Sequence, residues 1–277
     1  MKKAIQIQYD SDFETALKCA KNAGFRYVSL GFGSCKLFHN AGWEKHILHI
    51  EKLLEKYSLE CIQTHLPYYD LLISAEIIDK DADKAMLRCI KGGAMLGAQW
   101  TAYHARTAVN DNCSPRKSME LAKTALTPLV NEAIAQNTGI AIENLPVFPD
   151  IYEMKFFTSD YEDLCELCDY FESENVGICW DFGHAHLMKN NQRKAIEYVG
   201  NRIRATHIHN NDQNSDGHFL PSTGTIDWKS VISPFKKFGY GGALTLEINY
   251  NADFALESFF RHAYECLEII EKAGEPI

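Results

Sequence analysis

The chain has 277 residues, 46% apolar and 23% charged, with a net charge of −9. That composition supports a full hydrophobic core without disulfides or a structural metal, and the acidic balance argues against a general nucleic-acid binder, which would carry a basic face. The opening "MKKAIQIQYD" turns polar within ten residues, so no secretory signal or membrane span is read there or elsewhere, and the nine cysteines are read as reduced thiols of a cytoplasmic protein.

Short apolar, β-branched runs alternate with longer helical patterns along the whole chain. "KAIQIQY" is a strand and "DFETALKCAKNAG" a helix, with Asp10 or Ser11 as its N-cap and Gly24 as its stop. "RYVSLGF" precedes the helix "WEKHILHIEKLLEKY"; "LECIQTHL" precedes "DADKAMLRCIKGGAMLGA"; "WTAYHA" precedes a long helix that Ser114 caps and Pro115 opens. "GIAIENL" leads to "SDYEDLCELCDYFES", where Cys165 and Cys168 read as core-facing residues of a helix; no second C-x-x-C pair suggests a zinc site. "VGICWD", "RATHIHN" and "GALTLEIN" complete the strands, with helices through "AIEYVG", "DWKSVISPFKKFG" and "ALESFFRHAYECLEIIEKAG".

Eight strand–helix units without a composition break predict a parallel sheet covered by helices, here a single (β/α)8 TIM barrel spanning residues 1–277. A doubly wound open sheet is the alternative. No G-x-G-x-x-G follows the first strand, which weakens a dinucleotide-binding version.

In such a barrel the chemistry sits at the C-terminal ends of the strands. The last inward polar residues of strands three to eight are His65, His104, Glu143, Asp181, His209 and Glu247, at intervals of 28 to 39 residues. Six consecutive strands therefore deliver an acid or an imidazole to one mouth. Carboxylates that end apolar runs such as "GIAI", "VGIC" and "ALTL" are costly to bury without a cation or donors. A divalent ion removes that conflict. Histidine and carboxylate ligands without cysteine suit Mn²⁺ or Zn²⁺, with Co²⁺, Fe²⁺ and, less comfortably, Mg²⁺ as alternatives. Taken singly, His65 or His104 would be read as an ordinary hydrogen-bonding residue. His207 shares a strand face with His209 and is read as a ligand, an outer donor or barrel filling, outside the immediate ligand set. His39, His46, His49 and His262 fall on loops or helices as surface or packing residues, and His186 belongs to the helix after strand six.

The segments "VGICWDFGHAH", "HIHNND", "DGHFLPSTGTIDW" and "GYGGALTLEIN" resemble the xylose isomerase-like sugar isomerase/epimerase superfamily, which includes the endonuclease IV type of abasic-site nuclease. The resemblance spans nearly the whole chain and is strongest from Glu143 onward. In the ketose 3-epimerase branch it implies one metal held by Glu143, Asp181, His209 and Glu247, with His184 on the substrate; the position of His218 is an arginine in many of those epimerases. In the nuclease branch it implies three zinc ions on His65, His104, Glu143, Asp181, His184, His209, Asp216, His218 and Glu247. The loops "YHART" and "IENLPVF" and the first turn "QYDSDFE" depart from that branch, and the loops offer mainly Lys36, Arg106 and Lys155 for gripping phosphate.

The resemblance thus implies a metal-dependent isomerase or epimerase of a sugar or sugar phosphate. It would work by proton abstraction through a metal-stabilised enediolate, with Glu143 and Glu247 moving the proton. His184 and His218 would hold hydroxyls, and Phe32, Tyr68, Trp180 and Phe182 would shape the pocket or simply pack. Homo-oligomers are common in the family. The competing readings are an endonuclease IV-like phosphodiesterase acting on abasic DNA, and a non-catalytic binding protein on an inherited barrel.

Overall fold

A computed structural model describes residues 1–33, 36–67, 72–73, 80–108, 114–148, 154–189, 191–250 and 254–273; at 72–73, 80–82, 148 and 154–155 only the backbone is described. Eight strands form one parallel sheet: β1 (Lys2–Gln8), β2 (Tyr27–Gly31), β3 (Glu60–His65), β4 (Trp100–Tyr103), β5 (Gly139–Glu143), β6 (Val176–Asp181), β7 (Ile203–His207) and β8 (Ala243–Leu246). They lie in chain order around the sheet, with β8 beside β1. The remaining edges meet at the parallel bridge Ile208–Leu246. There Ile208 N donates to Thr245 O at 2.7 Å and Glu247 N to Ile208 O at 3.1 Å. The barrel predicted from the alternation is the fold observed.

The outer layer comprises α1 (Phe13–Ala23), α2 (Trp43–Tyr57), α3 (Lys80–Met95), α4 (Pro115–Ala135), α5 (Tyr161–Tyr170), α6 (Gln192–Val199), α7 (Trp228–Lys237) and α8 (Leu256–Ala273). Each packs an apolar stripe at helical spacing onto the outward strand residues; in α2 it is Trp43, Ile47, Ile50, Leu53 and Leu54. The main core therefore lies between barrel and helices. Trp180 and Phe182 belong to that core, as does Phe32, so these aromatics pack rather than line the mouth. Tyr68 lies outside the described residues. Cys165 and Cys168 are buried free thiols of α5, and among the described residues no helix is long and apolar enough to cross a membrane.

Local details differ from the sequence expectation at the caps. The N-cap of α1 is Asp12, not Asp10 or Ser11, and its side chain makes no capping bond; Asp10 Oδ1 instead accepts from Asp12 N at 3.0 Å. Gly24 does end α1, at φ 107°. Ser114 stands at the N-cap of α4 without a side-chain bond, and Pro115 opens the helix. Two small two-stranded sheets cross the mouth-side loops, pairing Leu72–Ile73 with Thr107–Ala108 and Val147–Phe148 with Met154–Lys155.

Candidate metal centre

Alternation within each strand decides which side chains enter the barrel. Glu143 and Asp181 end β5 and β6, His65 ends β3, and His104 and Glu247 directly follow β4 and β8. After Asp181 the chain turns into the short helix Phe182–Leu187, with Asp181 as N-cap: its Oδ1 accepts from His184 N at 2.6 Å. The same turn places the His184 ring over the mouth. Asn144 locks the β5 and β6 loops together, donating to Asp181 O at 2.8 Å and accepting from Asp181 N at 2.7 Å. The loop after β7 carries Asp216 and His218 back over the mouth. His218 is held at φ 46°, a left-handed conformation that costs a non-glycine residue on the order of 1 kcal/mol and is sustained by its surroundings.

All nine candidates come together. Glu143, Asp181 and His209 are fully buried, and His65, His184 and Glu247 nearly so. Among the groups whose ligand atoms lie within 4.8 Å of one another are His65, His104 and Glu143; Glu143, Asp181, His207 and Glu247; and His184, His209, Asp216 and His218, the first two sharing Glu143 and the third separate in membership. His209 borders the middle group through Asp181, with Nε2 3.0 Å from Oδ1. His207, placed outside the ligand set by the sequence reading, stands inside the middle group. Its Nδ1 is 3.1 Å from both Glu143 Oε2 and Glu247 Oε2. Cys179, inward on β6, adds a thiol to Glu143 and His207. Cys179 lies one inward step below the end of β6, inside a run that reads as apolar, and so gives no signal; His207 ends β7, and the sequence reading sets it on the face of His209 but outside the ligand set.

Three imidazoles share one orientation. His65, His184 and His218 each donate Nδ1–H to a backbone carbonyl: Leu66 O at 2.6 Å, Asn144 O at 2.9 Å and Glu247 O at 2.8 Å. Each therefore turns Nε2 inward, toward Glu143 Oε2 at 3.3 Å for His65 and Asp216 Oδ2 at 3.3 Å for His184 and His218. This is how metal-ligating histidines are oriented by the groups behind them. Atoms facing the centre are short of partners: Glu143 Oε1, Asp181 Oδ2, Asp216 Oδ1 and both ring nitrogens of His209 are buried without a hydrogen bond. Buried polar atoms are normally satisfied, so converging orphans fit one or more cations shared among them.

These acids and imidazoles shift one another's ionisation. Burial opposes charge on Glu143, yet the imidazoles of His207 and His104 hold its carboxyl well below the usual range. Burial likewise opposes charge on His184, but Asp181 and Asp216 keep its pKa well above the ordinary value. His218 is pushed up to about 9: burial works against its charge, and Asp216 and Glu247 outweigh it. At His104 burial dominates and lowers the pKa despite Glu143. A cavity of about 790 Å³ opens near Lys21, Arg26 and Glu60 at the opposite end of the barrel, and no member of the cluster lines it. The donor set, rather than cavity size, marks the site.

A family model described as the xylose isomerase-like TIM barrel matches residues 17–268. An uncharacterised protein of Methanocaldococcus jannaschii, MJ1311, is 28% identical over 240 residues, covering 83% of this chain and 78% of the relative. An uncharacterised protein of Sinorhizobium fredii, y4fM, is 32% identical over 115 residues, covering 41% of this chain; the match spans only 34% of that relative's length. Among solved structures, an L-ribulose 3-epimerase superposes with a TM-score of 0.78 at 16% identity, covering 99% of this chain and 96% of that one. The apo form of the 3-keto-D-glucoside 4-epimerase YcjR from E. coli gives 0.74 at 17%, covering 98% and 100%. A D-psicose 3-epimerase from Clostridium cellulolyticum H10, with D-tagatose, gives 0.76 at 13%, covering all of both chains. At these identities the structural likeness shows the fold.

Proposed function

Because the chain belongs to the xylose isomerase-like TIM barrel family, and because Glu143 and Glu247 meet within 4.8 Å in a buried acid–imidazole cluster, we propose that it is a divalent-metal-dependent isomerase or epimerase of a sugar or sugar phosphate. The paired carboxylates carry this reading. The epimerase activities in the names of the solved structures agree with it.

Glu143, Asp181 and Glu247 would hold the ion together with His209. When bound, a divalent cation supplies the Lewis acidity that eases loss of a proton from carbon beside a carbonyl. The rest falls to the side chains. One of Glu143 and Glu247 takes the proton from carbon, and the other returns it to the opposite face or to the neighbouring carbon. His184 and His218, whose rings overhang the mouth, hold substrate hydroxyls. The test is metal analysis joined to a deuterium-exchange screen over ketoses and their phosphates. Glu143→Gln and Glu247→Gln should abolish both turnover and solvent exchange, and retention of both would refute the assignment.

One observation favours a second reading, a phosphodiesterase of the endonuclease IV type: His184, His209, Asp216 and His218 form a further ligand-competent group beside the middle one. Three ions per chain together with cleavage of abasic duplex DNA would support it; one ion and no cleavage would support the epimerase. Of the cations available for phosphate, Lys36 is exposed and Arg106 is buried 3.6 Å from Asp83, while the Lys155 side chain lies outside the described residues.

A further inference from the structure

The barrel interior below the cluster has two unlike walls. On β4 to β7 the inward layer is small: Ala102, Ala141, Cys179 and Ala205. On β8 and β1 to β3 the residues with their polar ends in the interior are Thr245, Gln6, Ser29 and Gln63. Small side chains on one wall leave room for long ones from the other. Gln63, on β3, reaches His207 on β7, with its amide nitrogen 2.9 Å from Nε2. Gln6, on β1, donates its amide N–H to Glu247 Oε1 at 2.6 Å.

Each amide is keyed by a hydroxyl from a neighbouring part of the barrel. Ser29 Oγ donates to Gln6 Oε1 at 3.2 Å, and Thr245 Oγ1 donates to Gln63 Oε1 at 3.2 Å. A carboxylate only accepts, so the nitrogen of Gln6 must face Glu247. With its carbonyl oxygen committed to Thr245, Gln63 presents its nitrogen to His207, which places the ring proton on Nδ1, between Glu143 Oε2 and Glu247 Oε2.

We propose that Gln6 and Gln63 are positioning residues of the ion site: Gln6 engages one oxygen of Glu247 and leaves the other aimed at the centre, while Gln63 fixes the His207 ring as a brace between Glu143 and Glu247. His209, with neither nitrogen bonded, is then the imidazole available to the ion. This rests on the reading of the cluster as a divalent-cation site and concerns residues that do not themselves touch the ion.

The test is calorimetric titration of the metal-stripped full chain with Mn²⁺, paired with the visible absorption spectrum of the Co²⁺-loaded protein. The variants are Gln6→Met and Gln63→Met, which keep length and remove the amide. Changes behind metal ligands typically weaken binding 10–100-fold, and that loss is expected for each, with altered Co²⁺ bands and an unfolding transition in EDTA that stays cooperative but shifts to lower denaturant as buried hydrogen bonds are lost. Ser29→Ala and Thr245→Val remove only the keys; they should weaken binding in the same direction by less, and they serve as the test if a methionine variant fails to fold. Wild-type affinity and Co²⁺ bands in the folded variants would overturn the positioning roles alone. Failure of the wild-type chain to bind either ion would overturn the cation site beneath them.

Discussion

Gly183→Ala tests the site through a single methyl group. Gly183 lies in the short helix after β6, and a Cβ built there would clash with the His209 ring at Cε1, Nδ1 and Nε2. The ring has little freedom to move, since it is also stacked on His218 with centroids 3.9 Å apart at 10°. His209 must rotate, and the contact it loses first is Nε2 to Asp181 Oδ1 at 3.0 Å. Overpacking of this kind costs about 1–3 kcal/mol, and replacing glycine by alanine within a helix returns about 1 kcal/mol. The metal-free variant should therefore unfold with a stability loss between about zero and 2 kcal/mol. Affinity for Mn²⁺ or Zn²⁺ should fall by at least the 10–100-fold that outer-sphere changes cause. Calorimetric titration gives the affinity and denaturant melts in EDTA give the stability. A folded variant that binds metal within twofold of wild type would refute His209 as a ligand.

Asn144→Ala removes two buried hydrogen bonds that join the β5 and β6 loops. At about 0.5–1.5 kcal/mol each, it should lower stability by about 1–3 kcal/mol in urea melts and weaken metal binding as Asp181 shifts. Stripping the wild-type protein with EDTA should lower its stability by about 2.7 kcal/mol relative to protein held at 100 times the dissociation constant in free metal, read as a shift of the melt that re-addition of metal reverses. At the exposed pair Asp169–Arg202, bonded at 2.7 Å, the arginine depresses the Asp169 carboxyl. Its stabilisation is therefore present above the unfolded carboxyl pKa and lost as pH falls through the folded one. Asp169→Asn should cost less than about 1 kcal/mol at neutral pH, and the difference between the two melts should vanish in acid.

The barrel was legible because its strands are written twice in the sequence: as apolar runs and as regularly spaced acids and imidazoles that end them. Glu143, Asp181 and Glu247 stood out because a carboxylate closing "GIAI", "VGIC" or "ALTL" has no apolar partner to explain it. Gln6, Ser29, Gln63 and Thr245 carried no such signal. A polar residue within a strand faces the barrel or the helices according to parity, and irregular register at Val28/Ser29 and at Ile178/Cys179 breaks the count where it is needed. The paired dipeptides across the mouth-side loops were invisible for a simpler reason: two residues have no period. The α1 cap was misplaced because "DSD" offers three capping side chains in a row, and only the backbone decides that Asp12 precedes the first turn.

The layer beneath the cluster gives the strongest reason to regard these acids as working groups. Barrels of this kind usually fill their interior with valine, isoleucine and leucine. Here one wall is alanine and cysteine, and the space is taken by amides and hydroxyls that gain little from leaving water, since a paired buried hydrogen bond contributes only about 0.5–1.5 kcal/mol net. Stability alone would favour an apolar filling. The amides nevertheless end on Glu247 and His207, and those in turn meet Glu143. An interior that forgoes apolar burial to fix two acids and an imidazole within hydrogen-bonding distance is what the proposed ion site would require, and the orphaned atoms of Glu143, Asp181 and His209 are those that would face the ion.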